Sequence, residues 1–415
     1  MTRRVTLQVI SVMVALWSLS ATAYPAGVRH GSTGVRHLRL AWTTTLPVYR
    51  GAGPDPAAEP GPAAGGRVVI LSGHRTYFTE LISTDIFVVD LATGKVLWSG
   101  AIPSYPVLQM DESRLYVRSP SGKDPSRIYS FNAVSGKVER LSIEPAYSLY
   151  NYGVLLAHGD RVLYVSDDGS VVAVDAQSLK KIIWRLRPED VHLPARGAPA
   201  ARELRLVAIA EGRVYIKTHS EQVIAVVRMD SGIVERITLF GPMDAFNQLM
   251  SLVWSPRHKL FFASVGTIGA GVQSLSLWAA RSDLSRVWSR PNTEGFSLVS
   301  GVLICGDLTK PYVRRGVVGL DPVTGRELWK RSLNPQSETE MIGELAGSAI
   351  MTISETAKGG TTRRIVGIRP RDGAEVWSMP VPNGAGARVY GKWLVVTYPG
   401  QDGRRFTSVR AYKWR

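Results

Sequence analysis

The sequence predicts an all-β protein: an eight-bladed β-propeller of four-stranded blades, closed by pairing of its own N- and C-terminal strands. Three observations carry this. A hairpin-like segment recurs along the chain, each copy follows two further apolar runs, and the C-terminal end is one strand short of a unit while the N-terminal end has one to spare.

The hairpin is clearest in Phe87-Val88-Val89-Asp90-Leu91-Ala92-Thr93-Gly94-Lys95-Val96-Leu97-Trp98 and returns as Val317 to Trp329 and Ile365 to Trp377. Weaker copies run from Val171 to Trp184, Leu277 to Trp288, Tyr129 to Arg140 and Val223 to Arg236. Their last residues fall at 98, 140, 184, 236, 288, 329 and 377, at intervals of 42, 44, 52, 52, 41 and 48. Those intervals are the size of one blade. In the better copies a β-branched run ends in Asp or Asn and then Gly, residues that tolerate positive φ, and a second strand follows.

Two more runs precede each hairpin, as in Gly153-Val154-Leu155-Leu156 and Arg161-Val162-Leu163-Tyr164-Val165. Each unit therefore has four short strands, and no segment shows helical periodicity. After Trp377 only three strands remain, at Ala387–Tyr390, Trp393–Thr397 and Ser408–Trp414. Leu38-Arg39-Leu40-Ala41-Trp42-Thr43-Thr44 resembles the outer strand that carries Trp98, so residues 38–47 are assigned as the fourth. Pairing the two ends leaves no open seam. Residues 48–66, rich in Pro, Ala and Gly, read as a flexible connector. Residues 67–415 then hold seven full blades and three strands of the eighth.

The Ala/Gly-x-Asp-x-x-Thr-Gly-x-x-x-Trp pattern resembles the PQQ-like β-propeller repeat of the quinoprotein dehydrogenase and BamB-like superfamily over about residues 38–415. Asp321, Thr324, Gly325 and Trp329 match it best, followed by Asp90, Thr93, Gly94 and Trp98. Blades two and four place Arg140 and Arg236 where Trp is expected, and blades three and five lack the turn Gly. The resemblance implies that the recurrent Trp packs between blades and that the turn Gly shapes the hairpin.

Ahead of the propeller, Arg3 and Arg4 precede an uncharged stretch to Val28 with an apolar centre, and Ala21-Thr22-Ala23 fits a small-x-small cleavage site. Residues 1–23 are read as a signal peptide, with an uncleaved membrane anchor as the alternative, and 24–37 as a tail. No cysteine lies near the cut, so a lipid anchor there is excluded. The expected destination is extracellular, periplasmic or cell-envelope associated.

The chain has 415 residues and a formal net charge of +16. Forty-five per cent hydrophobic content against 20 per cent charged excludes wholesale disorder. Its single cysteine, Cys305, excludes internal disulfides and multi-cysteine metal sites. Seven windows at the outer strands (95–101, 137–143, 180–187, 233–239, 285–290, 326–332 and 374–380) carry +9 of that charge. This suggests a basic rim that discourages edge pairing rather than a groove for nucleic acid.

Chemical motifs fail on context. Quinone dehydrogenases resembling this fold hold pyrroloquinoline quinone (PQQ) over a vicinal disulfide beside Ca²⁺, and Cys305 has no cysteine neighbour; within Val302-Leu303-Ile304-Cys305 it reads as a buried apolar residue. Gly386 to Lys392 has a phosphate-loop spacing but ends in Trp393 and reads as strand. Gly266 to Gly271 precedes no helix and reads as a long turn. The seven histidines form no His-x-x-x-His pair. Two features suggest binding: the tyrosines Tyr147, Tyr150 and Tyr152 between blades two and three, and the long connection from Arg187 to Arg205.

The function expected is therefore an exported, non-enzymatic, monomeric scaffold that binds an envelope or extracellular protein, with no catalytic residues, metal or cofactor assigned. The rivals are a PQQ- and Ca²⁺-dependent oxidoreductase and adhesion to an anionic cell-wall polymer.

Overall fold

The computed structural model describes residues 38–47, 58–72, 83–103, 107–119, 127–142, 155–191, 204–218, 223–239, 246–269, 272–310, 313–334, 337–357, 360–399 and 406–414. Residues 1–37, expected to be a signal peptide and tail, and the tyrosines at 147, 150 and 152 lie outside them. No described helix is long and apolar enough to cross a membrane. The one described helix is a 3₁₀ turn at Pro188–Asp190.

The described residues form eight four-stranded antiparallel sheets. Blades 1 to 7 each pair four strands in sequence order, and blade 8 has the order 38–47, 406–414, 393–398, 386–390. The expected closure is present: Leu38 lies opposite Trp414, Thr43 opposite Arg410 and Pro47 opposite Phe406. Blade 8 is also tied to blade 1 near the axis, where Thr397 Oγ1 donates to Ala58 O at 2.5 Å and Tyr390 OH donates to Gly61 O. The covalent break is thus bridged by a full ladder on one side of the last blade and by side-chain hydrogen bonds on the other.

The connector corrects one expectation. Residues Ala58–Ala64 are a strand, the innermost of blade 1, not part of a flexible linker. Its Ala-Glu-Pro-Gly-Pro-Ala-Ala composition argues against a strand only where both edges must pair. An innermost strand has one neighbour in its sheet, so Pro60 and Pro62 forfeit little by lacking an N–H. The ladder shifts register between Pro60 and Ala63, which absorbs the Gly61-Pro62 irregularity. The Gly266–Gly271 segment is a second correction: its first four residues complete the strand Leu260–Gly269.

The hydrophobic core is divided among the seams. Eight buried clusters each join one blade to the next, such as Leu163, Val171, Ala173 and Trp184 of blade 3 with Val214, Ile216 and Ala225 of blade 4. The cluster at the closing seam joins Trp42, Val395 and Val409 to Val68, Ile70 and Phe87. Both faces of most sheets are therefore buried, which is why central strands such as Val223-Ile224-Ala225-Val226-Val227 are continuously apolar rather than alternating.

The two ends of the ring differ. At one face every described connection is tight: first strands pass to second, and third to fourth, in two to six residues, as at 65–66 and 91–95. The other face receives the connections between second and third strands and between blades. It includes the longest ones, 142–155 and 187–203. The connection expected to reach Arg205 stops earlier, because Arg205 belongs to the strand Leu204–Ala210.

Candidate functional site

Each turn between third and fourth strands is built by local chemistry. Asp90 Oδ1 accepts hydrogen bonds from Ala92 N, Thr93 N and Thr93 Oγ1 at 3.1, 2.8 and 2.7 Å. Asp321 repeats the pattern with Val323 and Thr324, and Asn132 with Val134 and Ser135. The Thr93 hydroxyl, first among these bonds, holds the Asp90 carboxyl below its ordinary pKa. The chain then turns through Gly94, Gly136, Gly232, Gly325 or Gly373 with φ between +69° and +74°.

Those glycines serve the neighbouring blade as well. An added Cβ on any of the five would lie 2.5 to 2.7 Å from the indole of Trp42, Trp98, Trp184, Trp288 or Trp329 of the preceding blade. Each indole also donates its Nε1–H across the seam: Trp42 to Leu91 O at 2.8 Å, Trp98 to Ala133 O at 3.2 Å, Trp184 to Met229 O at 2.9 Å, Trp288 to Pro322 O at 3.1 Å, and Trp329 to Pro370 O. A register shift just before the indole recurs in these outer strands, as between Val88 and Val89 of the partner strand opposite Trp98.

The degenerate repeats are matched to one another. Where blade 2 has Arg140 in place of Trp, blade 3 has Leu179 in place of Gly, at φ 53°. Where blade 4 has Arg236, blade 5 has Leu284 at φ 66°. The arginine donates across the seam as the indole does elsewhere: Arg140 Nε to Gln177 O, and Arg236 Nη1 to Asp283 O at 3.0 Å. A flat indole needs a residue without Cβ beneath it; a guanidinium reaching past the turn does not. Sequence reading found both departures but not that they face each other, because they lie in different repeats.

The seam after blade 7 has its own form. Trp377 is 3% exposed, and its Nε1 has no hydrogen-bond partner among the described residues. The blade that follows has no third-to-fourth turn, because Trp414 and Leu38 there end and begin the described chain.

At the blade 2–3 seam the exchange leaves a cleft of about 560 Å³ on the rim, lined by Val138, Glu139, Arg140, Leu141, Asp175 and Lys180, among others. Its carboxylates are engaged internally. Glu139 Oε1 accepts from Asn132 Nδ2 at 3.0 Å, and Glu139 Oε2 is 3.6 Å from Arg114 Nε. Asp175 accepts from Ser178 N at 2.7 Å, and Ser178 holds its carboxyl below the ordinary value. Val138 is 52% and Leu141 36% exposed beside them.

Beneath the face of long connections, three ionisable groups are perturbed by burial. Desolvation raises the pKa of Asp85 and lowers those of Arg118 and Lys217, the latter also facing Arg205. Arg118 is 2% exposed. The two cations close similar strands, Arg114-Leu-Tyr-Val-Arg118 and Arg213-Val-Tyr-Ile-Lys217, near that face. Sequence reading missed them. The available signal was a cation directly after the apolar run of a second strand, as in Leu115-Tyr116-Val117-Arg118 and Val214-Tyr215-Ile216-Lys217.

The rim charge is distributed differently from the expectation. Lys95, Lys137, Lys180, Lys181 and Arg326 lie in the turns and Arg187 beyond its strand, so they do not line the outer strands. Two strand bases are paired across seams among the described residues: Arg290 Nη2 with Glu327 Oε2 at 2.6 Å, and Arg331 Nη2 with Glu375 Oε2 at 2.5 Å. Arg290 and Arg331 therefore cross-link blades 5, 6 and 7.

Other candidate chemistry resolves into structure. Ser255 Oγ is 2.9 Å from His258 Nδ1, yet Ser255 is buried and the contact closes a hairpin turn. Residues Gly386–Tyr390 are an innermost strand, with no helix to receive a phosphate. Cys305 is buried between blades 5 and 6, and burial pushes its thiol pKa up to about 12. Among the described residues, no three His, Cys, Asp or Glu side chains gather to hold a metal ion. With no adjacent cysteine in the chain either, the donors described do not fit the quinone and Ca²⁺ arrangement of the dehydrogenases.

Comparison with known proteins agrees with this geometry. No curated protein matches the chain in sequence. Among solved structures, BamB from Moraxella catarrhalis is similar with a TM-score of 0.56 at 12% identity, covering 91% of this chain and 100% of that one. The computationally designed Ika8 protein gives a TM-score of 0.50 at 12% identity, covering 87% and 98%. Dihydro-heme d1 dehydrogenase NirN, in complex with DHE, gives 0.50 at 13% identity, covering 90% and 71%. At such identities these likenesses speak for the fold alone. A family model described as Outer membrane protein assembly factor BamB matches residues 38–236 and 286–391. Its span takes in the Trp–Gly seams and the Arg140–Leu179 seam, and the chain belongs to this PQQ-like β-propeller family.

Proposed function

We propose that this protein is a non-enzymatic scaffold, exported to the cell envelope, that binds another protein. The observation that carries the reading is the contrast between its two faces. One is made of tight turns whose side chains lock each blade to the next, and the other is where the strands joined by the long inter-blade connections end. Variable loops on a rigid frame suit recognition. The buried Arg118 and the half-buried Asp85 and Lys217 place perturbed ionisable groups beneath the same face. Membership of a family described by an outer-membrane assembly factor supports the envelope and the protein partner. The chain is expected to act as a monomer, since its strand pairing is completed within one copy.

Photo-crosslinkers placed at the 142–155 and 187–203 connections, in the full chain expressed in its native envelope, test this. Discrete protein adducts from those positions, absent when the crosslinker sits at the tight turn 65–66, are expected. Stoichiometric binding of pyrroloquinoline quinone with Ca²⁺ by the purified protein, accompanied by dye reduction, would overturn the reading.

A further inference from the structure

The two ends of the chain hold most of its net charge. Residues 1–54 and 376–415 carry thirteen Lys and Arg against one acid, Asp402, which is +12 of the net +16. The fold brings these ends together in blade 8, where Leu38–Pro47 pairs with Phe406–Trp414. Blade 8 is accordingly the one blade with no acidic side chain among the described residues. Its charged residues there are Arg39, Arg388, Lys392, Arg410 and Lys413.

Three of these five gather at the tight-turn end. Arg39 lies directly opposite Lys413, and Lys413 opposite Trp393, so the three form one cross-strand row on the same face. Lys413 Nζ stands 5.6 Å from the centre of the Trp393 ring. Lys392 occupies the adjoining turn, where its carbonyl accepts from Trp414 N at 3.3 Å. Arg39, Lys392 and Lys413 are exposed, and none forms an ion pair among the described residues. Like charges directly opposite one another on two strands cost stability, so the Arg39–Lys413 pair is a local conflict of the kind found at functional sites. On the other face of the same two strands, Leu40 is 47% exposed and Trp414 partly buried.

Unpaired cations flanked by tryptophan and apolar side chains complement a lipid interface, where phosphates meet the cations and tryptophan settles at headgroup level. A soluble anionic polymer would use the cations alone. The path of the chain agrees. Leu38 stands at this end, and the sequence leading into it holds the uncharged stretch to Val28 that reads as a membrane-directed signal or anchor. We infer that the tight-turn end of blade 8 is a contact surface for an anionic lipid membrane, with Arg39, Lys392 and Lys413 on the headgroup phosphates and Trp393 at the interface. The ring then stands with its face of long connections turned away from the bilayer. This takes the cell-envelope location from the scaffold reading and adds an orientation to it.

The test is flotation of the full chain, as isolated from its native envelope, with vesicles of phosphatidylcholine alone or with phosphatidylglycerol added. Uptake on the neutral vesicles measures uncharged contacts. Additional uptake on the anionic vesicles, lost as salt is raised, is expected from blade 8. Arg39→Glu, Lys392→Glu and Lys413→Glu should each weaken that additional binding at least about fivefold. Lys180→Glu, in a tight turn of blade 3, should leave it unchanged. Lys413→Glu carries a second readout: opposite Arg39 it should raise the melting temperature even as it weakens vesicle binding, which a purely structural lysine would not do. Lys392→Glu, on an exposed turn, decides the matter if another variant fails to fold. Equal uptake on both kinds of vesicle, or uptake indifferent to the three variants, would overturn the inference. Equal affinity for a soluble teichoic acid of matched charge would overturn it in favour of polymer adhesion. If vesicle binding fails while the long-connection crosslinks persist, the scaffold reading stands; loss of those crosslinks removes the scaffold reading and leaves the vesicle result untouched.

Discussion

The indole of Trp98 in blade 1 lies on Gly136 of blade 2, so closely that a Cβ at Gly136 would come within 2.5 Å of Trp98 Cδ2. Gly136 also has φ +69°, so it is constrained by its backbone and by its neighbour at once. Substitution to Ala should cost about 2 to 4 kcal/mol, more than backbone strain alone, since a small-to-large change in a packed seam adds about 1 to 3 kcal/mol. Urea denaturation of Gly136→Ala beside Gly391→Ala checks this. Gly391 has positive φ but nothing within 4 Å of a Cβ, so it isolates the backbone contribution.

The opposite exchange should be cooperative. Arg140→Trp alone drives an indole against Leu179, and Leu179→Gly alone removes a side chain that is 1% exposed. Together they rebuild the arrangement of Trp98 with Gly136. The double variant should be more stable than the sum of the single changes by about 1 to 2 kcal/mol, as measured in a double-mutant cycle. Additive costs would mean that the two residues are not coupled.

Trp184 and Trp377 are both buried and differ in one hydrogen bond. Trp184 Nε1 donates to Met229 O at 2.9 Å, whereas Trp377 Nε1 has no partner among the described residues. Replacement by Phe removes similar apolar area from each, but only at 184 does it strand a buried carbonyl. Trp184→Phe should therefore cost about 1 kcal/mol more than Trp377→Phe. Parallel thermal and urea unfolding of the two variants provides the comparison.

The Cys305 thiol is 1% exposed, and its pKa is raised to about 12 by burial. At neutral pH it is a protonated thiol without access to solvent. A thiol-specific reagent should leave the native protein unlabelled over hours and label it once, stoichiometrically, in denaturant. Rapid native labelling would show that blades 5 and 6 separate readily.

The Asp321 carboxyl is held below its ordinary pKa of 3.8, first by the backbone N–H of Thr324 and then by its hydroxyl. A carboxyl with a depressed folded pKa contributes stability that is present above its unfolded value. That contribution is lost as pH falls through the folded pKa. Asn132 fills the same turn role in blade 2 without titrating. Asp321→Asn should thus fold normally, trail the native protein by less than about 1 kcal/mol at neutral pH because the site is solvated, and close that gap below about pH 4. Unfolding midpoints measured across that range decide it.

Much of the fold is legible in the residues themselves. The spacing of Asp90, Thr93, Gly94 and Trp98, and its return at Asp321 to Trp329, specifies a turn and two strands through local geometry, and local geometry repeats wherever the residues do. The count of strands at the two ends required closure between Leu38–Pro47 and the C-terminal strand, because an unpaired edge is costly. Burial of Cys305 followed from its apolar run.

What the tertiary structure decided concerns groups that meet across blades. Ala58–Ala64 looked like a linker because its prolines lack donors, and only its place at the inner edge of a sheet makes that harmless. Arg140 and Leu179, thirty-nine positions apart, read as two lapses in the repeat until the ring set one upon the other. Arg331 and Glu375 read as rim charge until adjacency made them a pair. The cleft between blades 2 and 3 exists in neither repeat alone. The physical reason is common to the last three: a strand's own residues dictate its turn and its alternation, whereas its neighbour in the next blade is brought there by ring closure, which depends on every repeat at once.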